Sequence, residues 1–184
     1  IFEDILKKAF EYGHYKVKHI MNITDVGHLQ SDADTGEDKM QIGAERENKT
    51  VWEIAKFYEN AFFKDCQKLN IRKPDIVCKA TDHIQDMIDI IKTLEEKGYT
   101  YTSNGNVYYE IDKFKDYNKL ANLSMEELEA GARIDVDENK KNPLDFVLWF
   151  TNSKFKDQIM QWNSPWGKGF PGWHIECSAM SIKY

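Results

Sequence analysis

This chain of 184 residues has few cysteines, no long apolar run and no block of like charge, and each absence excludes a class of protein. No apolar run approaches the length that spans a membrane, and the first residues lack the pattern of a secretory signal peptide. The sequence therefore predicts a cytoplasmic protein with no membrane association.

Cysteine occurs three times, at Cys66, Cys78 and Cys177, and no two of these residues form a CxxC pair. An odd number of cysteines without paired spacing is not typical of a disulfide framework, and it fits a reducing compartment.

Charged residues of both signs are interspersed, with 25 Lys and Arg against 31 Asp and Glu and a net charge of −6. Clustered positive charge drives binding to phosphate backbones, so this balance argues against a chain that binds nucleic acid by bulk electrostatics. It does not exclude an enzyme whose RNA contacts lie in another part of a longer protein. With 41% hydrophobic residues, the chain can bury the core of one or two domains.

The N-terminal stretch predicts a helix followed by a strand. Apolar residues recur at helical spacing up to Phe10, Gly13 follows at the position of a C-terminal cap, and residues 15–23 are rich in β-branched and aromatic types. A helix that leads into an apolar strand is typical of a parallel α/β sheet, in which ligands bind beyond the carboxyl ends of the strands. Thr24 and Asp25 lie at such an end, where a helix cap or a turn is an equally good interpretation.

Thr50 and Glu53 form a capping box that opens a long helix. Its apolar residues are expected to be core rather than a cofactor site, because burying large rings is the main stabilisation available to a helix. They are Trp52, Ala55, Phe57, Tyr58, Ala61, Phe62, Cys66 and Leu69.

A strand over 75–80 is expected to lead into a further helix that ends at Gly98. Thr81 or Asp82 is the predicted cap of this helix. His83, at its start, is expected on the surface or in a capping role.

The segment after residue 75 changes from alternating helix and strand to a different pattern. Asn104-Gly105 predicts a β-hairpin, 124–130 a short helix and 145–150 another strand. This change is typical of an insertion between the halves of a parallel-sheet domain. Because the chain lacks an initiating methionine and terminal caps, we expect it to be an internal piece of a longer protein.

The acidic loop 27–39 does not match a calcium site. Starting from Asp32, the positions that require glycine and glutamate hold Glu37 and Gly43 instead. His28 in the same loop is expected to be solvated, and no role is assigned to it.

Residues 164–172 are rich in glycine and proline and lead into a helix over 173–183. A helix N-terminus favours negative charge, so we expect Cys177 in the second turn to be favoured as a thiolate. His174 lies on the same face, whereas Glu176 should point away from it. A lone cysteine in an apolar helix is more often an inert core residue, and a His-x-x-Cys pair supplies only two of the ligands that zinc needs.

Five strings of residues resemble the cysteinyl-tRNA synthetases, which are class I aminoacyl-tRNA synthetases. They are Gly172-Trp-His-Ile-Glu-Cys-Ser-Ala-Met180, Asn22-Ile-Thr-Asp25, Lys79-Ala-Thr-Asp-His-Ile84, Gly131-Ala-Arg-Ile134 and Asn142-Pro-Leu-Asp-Phe-Val-Leu-Trp149. The resemblance extends over nearly the whole chain. Asn118 and Phe170 depart locally from the family pattern, and no role is assigned to Phe170.

The resemblance implies an α/β fold that is part of a class I synthetase Rossmann-like parallel-sheet catalytic domain with an α+β connective-peptide insertion. We expect residues 1–74 in the first half of the catalytic domain, 75–162 in the insertion and 163–184 at the start of the second half.

The resemblance also implies roles for individual residues. In the family, the cysteine of the long motif binds zinc and its tryptophan packs against the bound cysteine, which assigns Cys177 to the metal and Trp173 to the amino-acid pocket. The threonine of the Asn-Ile-Thr-Asp segment contacts the amino group of bound cysteine, which assigns Thr24. His174 is expected to orient Cys177 or the substrate, and Asp25 to support either the loop or the site.

The implied activity is ligation of L-cysteine to tRNA(Cys) with ATP, accompanied by Mg, through a cysteinyl-adenylate in a monomeric enzyme. A zinc–thiolate bond would distinguish cysteine from serine, because zinc bonds a soft thiolate well. The family's other zinc ligands and its His-Ile-Gly-His and Lys-Met-Ser-Lys-Ser motifs are not in this sequence. We therefore assign no catalytic residue and expect the 184 residues alone to be inactive and to hold zinc weakly.

Two alternatives stay open. A paralogous enzyme class joins cysteine to the amino group of a glucosaminyl-inositol by the same adenylate chemistry and shares the zinc motif. A non-catalytic module would keep the fold for binding alone. A downstream anticodon-binding domain distinguishes the first alternative, and phosphate-binding motifs distinguish the second.

Overall fold

The computed structural model describes residues 1–25, 39–117, 119–120, 138–152 and 159–184, with the backbone alone at 39–42. The helices in these ranges are α1 (Phe2–Tyr12), α2 (Lys39–Glu47), α3 (Val51–Lys68), α4 (Ile84–Glu96) and α5 (Trp173–Lys183). The strands are β1 (Ile20–Ile23), β2 (Ile76–Lys79), β3 (Thr100–Ser103), β4 (Asn106–Tyr109), β5 (Phe146–Phe150) and β6 (Phe170–Pro171). Within these ranges, no helix combines the length and the apolar character needed to cross a membrane.

The first sheet pairs β1 with β2 in parallel, in a register that runs from Ile20 opposite Ile76 to Ile23 opposite Lys79. Parallel neighbours require a long crossover, and here the connection carries α2 and α3. This pairing confirms the α/β prediction. It also puts the residues that follow β1 and β2 at one edge of the sheet.

The second sheet is antiparallel, with the strand order β3-β4-β5-β6. The predicted hairpin joins β3 to β4, and both turn residues have left-handed backbones, with φ of 48° at Asn104 and 85° at Gly105. Positive φ at both central positions matches the twist of the flanking strands, which is why Asn-Gly suits this turn.

The main core lies where α5 packs against both α4 and β5. Met87 and Ile91 on the predicted face of α4 are fully buried, and Gly98 ends that segment with φ of 77°. The members of this core cluster are Cys78, Ala80, Ile84, Met87, Ile88, Ile91, Val107, Leu148, Trp149, Ile175, Ala179 and Met180. The core therefore fixes α5 relative to the strand β5 beneath it.

The start of α4 differs from the sequence expectation. A 3₁₀ turn over Ala80–His83 precedes the helix, and neither Thr81 nor Asp82 caps it. His83 is 5% exposed, with Nδ1 2.6 Å from the Lys79 carbonyl oxygen and Nε2 3.1 Å from the Tyr184 hydroxyl. The prediction of a surface histidine was wrong, because the C-terminal end of α5 covers this ring. His83 does occupy the N-cap position of α4, although its side chain makes no capping hydrogen bond.

The apolar face of α3 also differs from expectation. The capping box of Thr50 and Glu53 is present, but the buried residues of the helix are Val51 and Ile54. The aromatic side chains at 52, 57, 58 and 62 are each about half exposed, so the prediction of a buried aromatic core was wrong. Helical spacing defines a face, but it does not say what covers that face.

Helix α1 ends at Gly13 as expected, and the side chains that it buries are charged. Asp4 accepts a hydrogen bond from the Arg72 backbone N–H at 3.1 Å, and Lys7 donates one to Asp75 at 2.5 Å. These contacts attach α1 to the segment that leads into β2. The apolar residues of α1 are exposed, which the amphipathic pattern did not predict.

Several sequence predictions fall outside the described residues. They are the acidic loop 27–39 up to residue 38, which includes His28, the short helix at 124–130 and the string at 131–134. The boundaries of the three expected units, 1–74, 75–162 and 163–184, stay a prediction.

Candidate functional site

Two glycines hold the N-terminus of α5 directly against β5. A Cβ built on Gly169 would lie 1.8 Å from the Phe150 carbonyl oxygen, and one on Gly172 would lie 1.9 Å from that of Val147. Gly172 is the N-cap of α5 and donates a backbone hydrogen bond to Leu148 at 2.9 Å. Only glycine fits at this distance, so the loop places the start of α5 accurately over the sheet.

Helix α5 has one buried face and one exposed face. Ile175, Glu176, Ala179 and Met180 are buried, whereas Trp173, His174, Cys177 and Ser178 are exposed. The prediction that His174 and Cys177 share a face and that Glu176 points away from it is confirmed. The sequence did not predict that Glu176 would be only 1% exposed.

The structure brings the string Gly172–Met180 and the string Asn22–Asp25 together through Asn22. The Asn22 side-chain Nδ2 donates to the Cys177 Sγ over 3.3 Å, joining β1 to α5 across 155 positions of the chain. Sequence reasoning assigned no role to Asn22. The one signal for it was its membership of the string Asn22-Ile-Thr-Asp25.

Thr24 lies just beyond the end of β1 and lines a cavity of about 290 Å³ between β1 and α3. This volume accommodates a small amino acid. The remaining lining residues are Met21, Asn22, Ile23, Asp25, Ala55, Tyr58, Glu59 and Phe62. The cavity lining includes Thr24 and Asn22 but not Trp173, so Asn22 is the residue shared between the cavity and the exposed face of α5.

Asp25, whose role was open, is 8% exposed and bonds to Thr81. The Oδ1 atom accepts from the Thr81 backbone N–H at 3.0 Å, and the Oδ2 atom accepts from the Thr81 hydroxyl at 2.7 Å. Asp25 therefore supports the chain where β1 ends.

The electrostatics around Cys177 differ from the sequence expectation. Desolvation by neighbouring atoms and the Glu176 carboxyl raise the pKa of Cys177, and the hydrogen bond from Asn22 opposes them. The expectation that the helix N-terminus favours the thiolate was therefore wrong for this structure. Burial, followed by the Asp25 charge, raises the pKa of Glu176 to about 8, so Glu176 is largely protonated at pH 7.

Of the residues assigned to the site, Cys177 alone was predicted to bind zinc. Among the described residues, no group of three or more His, Cys, Asp and Glu side chains could hold a metal ion. Cys177 has the soft sulfur that zinc prefers, it is exposed, and Asn22 donates a hydrogen bond to that sulfur. These residues fit one ligand of a zinc site and not a closed set of four.

Two aromatic contacts define the surroundings of the α5 motif. The His174 ring lies on Phe146, with centroids 4.5 Å apart, so β5 supports the imidazole from below. Phe170, where the sequence departs from the family pattern, is 4% exposed and stacks on Phe150 at 4.8 Å. Phe170 is thus a core residue, and the orienting role of His174 stays a prediction.

Comparison with known proteins gives one consistent result. The family model for the catalytic domain of class I (C) tRNA synthetases matches residues 1–184. The cysteine–tRNA ligase of Treponema denticola is 59% identical over 184 residues, covering 100% of this chain. Those of Borrelia garinii and Burkholderia lata are 54% and 47% identical, also over 100% of the chain.

The chain is shorter than these relatives. It spans 37% of the Treponema denticola protein, 38% of the Borrelia garinii protein and 39% of the Burkholderia lata protein. The comparisons therefore cover one portion of each relative.

Proposed function

Because this chain belongs to the catalytic-domain family of class I (C) tRNA synthetases, we propose that the protein containing it is a cysteine–tRNA ligase. In the proposed reaction, a carboxylate oxygen of L-cysteine bonds to the α-phosphorus of ATP and pyrophosphate leaves. A hydroxyl at the end of tRNA(Cys) then attacks the carbonyl carbon of the cysteinyl-adenylate and AMP leaves. The names of the relatives support this reaction over the two alternatives.

One observation carries the proposal, namely the contact between Asn22 and Cys177. It links the carboxyl end of β1, where ligands of parallel sheets bind, to the exposed face of α5. The strings Asn22–Asp25 and Gly172–Met180, which both resemble the family, thus lie side by side, as a single amino-acid site requires.

The proposed roles are those that the resemblance to the family implies. Cys177 supplies one zinc ligand, and the other ligands come from parts of the longer protein that lie outside these 184 residues. Zinc, when bound, supplies a soft Lewis acid that bonds a cysteine thiolate in preference to a serine hydroxyl. Trp173 packs against the substrate side chain, and Thr24 contacts the substrate amino group. His174 orients Cys177 or the substrate.

The residues of this chain contribute binding and orientation to the reaction. Aligning a carboxylate with a phosphorus atom and neutralising the phosphates accounts for most of such a reaction, so positioning matters more than covalent help. Motifs for the phosphates and for Mg are not in this sequence. We propose that the 184 residues alone are inactive and that the longer protein acts as a monomer in the cytoplasm.

The proposal is tested by supplying the full-length protein with ATP and cysteine, together with either tRNA(Cys) or a glucosaminyl-inositol acceptor. We expect cysteine-dependent exchange between ATP and pyrophosphate, cysteinyl-tRNA as the product, and no product with serine. Transfer to the amine alone would favour the paralogous class. Absence of any exchange would favour a non-catalytic binding module.

A further inference from the structure

The two parallel strands stay connected beyond the point where their backbone pairing ends. The last pair is Ile23 opposite Lys79. Two residues further along each strand, Asp25 lies opposite Thr81, and β2 has by then turned into the 3₁₀ segment Ala80–His83. At this position, a contact made by the Asp25 side chain replaces the backbone hydrogen bonds between the two strands.

Both oxygens of the Asp25 carboxylate take part in this contact. One accepts the Thr81 backbone N–H at 3.0 Å and the other accepts the Thr81 hydroxyl at 2.7 Å. Asp25 is 8% exposed, so water competes little for these bonds. Hydrogen bonds to an ionised group are shorter and stronger than neutral ones, and a buried pair of them restricts the backbone on both sides.

Thr24 lies between the last strand pair and this link. Its neighbour Ile23 is held by β2, and its other neighbour Asp25 is held by Thr81. Thr24 also lines the cavity of about 290 Å³ between β1 and α3. We infer that Asp25 and Thr81 are positioning residues that hold Thr24 in place for the amino group of the substrate amino acid.

The opposite wall of the cavity is attached to the same segment. Glu59 of α3 lines the cavity and forms an ion pair with Lys79 at 2.8 Å, two residues before Thr81. Two residues of the string Lys79-Ala-Thr-Asp-His-Ile84 thus contact the two walls of the cavity, although the string does not line the cavity itself. This gives a role to a motif that the proposed site residues leave unused.

This inference rests on the proposed function, because it assumes that Thr24 contacts the substrate. The test uses the full-length protein and the cysteine-dependent exchange between ATP and pyrophosphate. Thr81→Val keeps the size of the side chain and its backbone N–H but removes the hydroxyl, whereas Thr81→Ser keeps the hydroxyl. Thr24→Ala and the double variant of Thr24→Ala with Thr81→Val complete the set.

We expect Thr81→Val to raise the KM for cysteine about fivefold to tenfold, less than the full loss of a hydrogen bond to a charged group, because Thr81 acts on the substrate only through Thr24. The KM for ATP should change less than twofold, and Thr81→Ser should restore the cysteine KM. In the Thr24→Ala background, Thr81→Val should have no further effect, because Thr81 acts through Thr24.

The outcomes distinguish failure of the positioning role of Thr81 from failure of the proposed role of Thr24. If Thr24→Ala raises the cysteine KM but Thr81→Val does not, the inference is wrong and the proposed function stands. Equal changes in both KM values, additive effects in the double variant, or failure of Thr81→Ser to restore binding would mean that Thr81 is merely structural and would overturn the inference. If Thr24→Ala leaves the cysteine KM unchanged, the assignment of Thr24 fails and the inference fails with it.

Discussion

Asn22 on β1 donates a side-chain hydrogen bond to the sulfur of Cys177 on α5, over 3.3 Å. The contact joins the carboxyl end of the parallel sheet to α5, a helix whose placement depends on glycines packed against β5. Because Asn22 also lines the cavity beside Thr24, it connects the two parts of the proposed amino-acid site.

The first prediction concerns this hydrogen bond. Replacing Asn22→Ala removes the donor that orients the Cys177 sulfur, and loss of a hydrogen bond to a metal ligand typically weakens metal binding about tenfold or more. Chelator competition on the full-length protein measures the zinc affinity directly. Asn60→Ala, at an exposed position on α3, is the matched control and should leave the affinity unchanged. Equal affinity in both variants would show that the Asn22 contact does not act on the metal ligand.

The second prediction concerns the N-cap of α5. Gly172→Ala would place a methyl group 1.9 Å from the Val147 carbonyl oxygen, so β5 and α5 must separate. We expect a loss of about 2 kcal/mol in the free energy of unfolding, as for other overpacked sites.

The control for Gly172→Ala is Gly43→Ala in α2, where the added Cβ would come no closer than 3.7 Å, to a side-chain atom of Ile54. Thermal unfolding of the full-length protein should show a lower Tm for Gly172→Ala and an unchanged or higher Tm for Gly43→Ala. The same Tm for Gly172→Ala and the wild type would contradict the tight packing described for this junction.

The third prediction concerns the pH dependence of stability. Burial raises the pKa of Glu59, but hydrogen bonds from Lys79 and Lys56 outweigh it, so the pKa lies below 4.5. A carboxyl whose folded pKa is depressed stabilises the protein above its unfolded pKa, and this contribution is lost as pH falls through the folded pKa.

Glu59→Gln should therefore lower the Tm at pH 7 by about 2–4 °C, equivalent to about 1 kcal/mol. The difference from the wild type should shrink as the pH falls below about 4.5. Glu96→Gln, at an exposed position on α4, is the control and should show no difference at either pH. A Glu59→Gln difference that stays constant down to acid pH would refute an ionic origin.

Local signals in the sequence were sufficient for much of the fold. The Asn104-Gly105 turn, the capping box of Thr50 and the helix beginning at Trp173 were all predicted correctly. Each depends on residues a few positions apart, so backbone preference and side-chain capping determine it without help from the rest of the chain.

Several features that sequence reasoning missed depend on distant partners. The burial of His83 requires Tyr184, 101 positions away, and the role of Asp25 requires Thr81, 56 positions away. The shift in the Cys177 pKa likewise depends on desolvation by neighbouring atoms and on the Glu176 carboxyl, which a helix N-terminus considered alone does not include. Composition and periodicity identify candidate faces, but tertiary packing decides which of them are covered.

The roles proposed for individual site residues came from the resemblance to a family, because neither periodicity nor spacing indicates them. Nothing in the spacing of Thr24 or Trp173 indicates an amino-acid pocket, and a lone Cys177 is by itself more often inert. The structure adds the contact of Asn22 with Cys177, and the family match covers the whole chain.

The most direct test of the proposed zinc site is the effect of Cys177→Ser on the full-length protein. Zinc content and cysteine-dependent exchange between ATP and pyrophosphate are measured for the wild type, for Cys177→Ser and for Cys66→Ser as the matched control on α3. We predict stoichiometric zinc and exchange in the wild type and in Cys66→Ser, with both lost in Cys177→Ser. If Cys177→Ser retained its zinc and its exchange activity, Cys177 would not be a zinc ligand and the proposed site would be wrong.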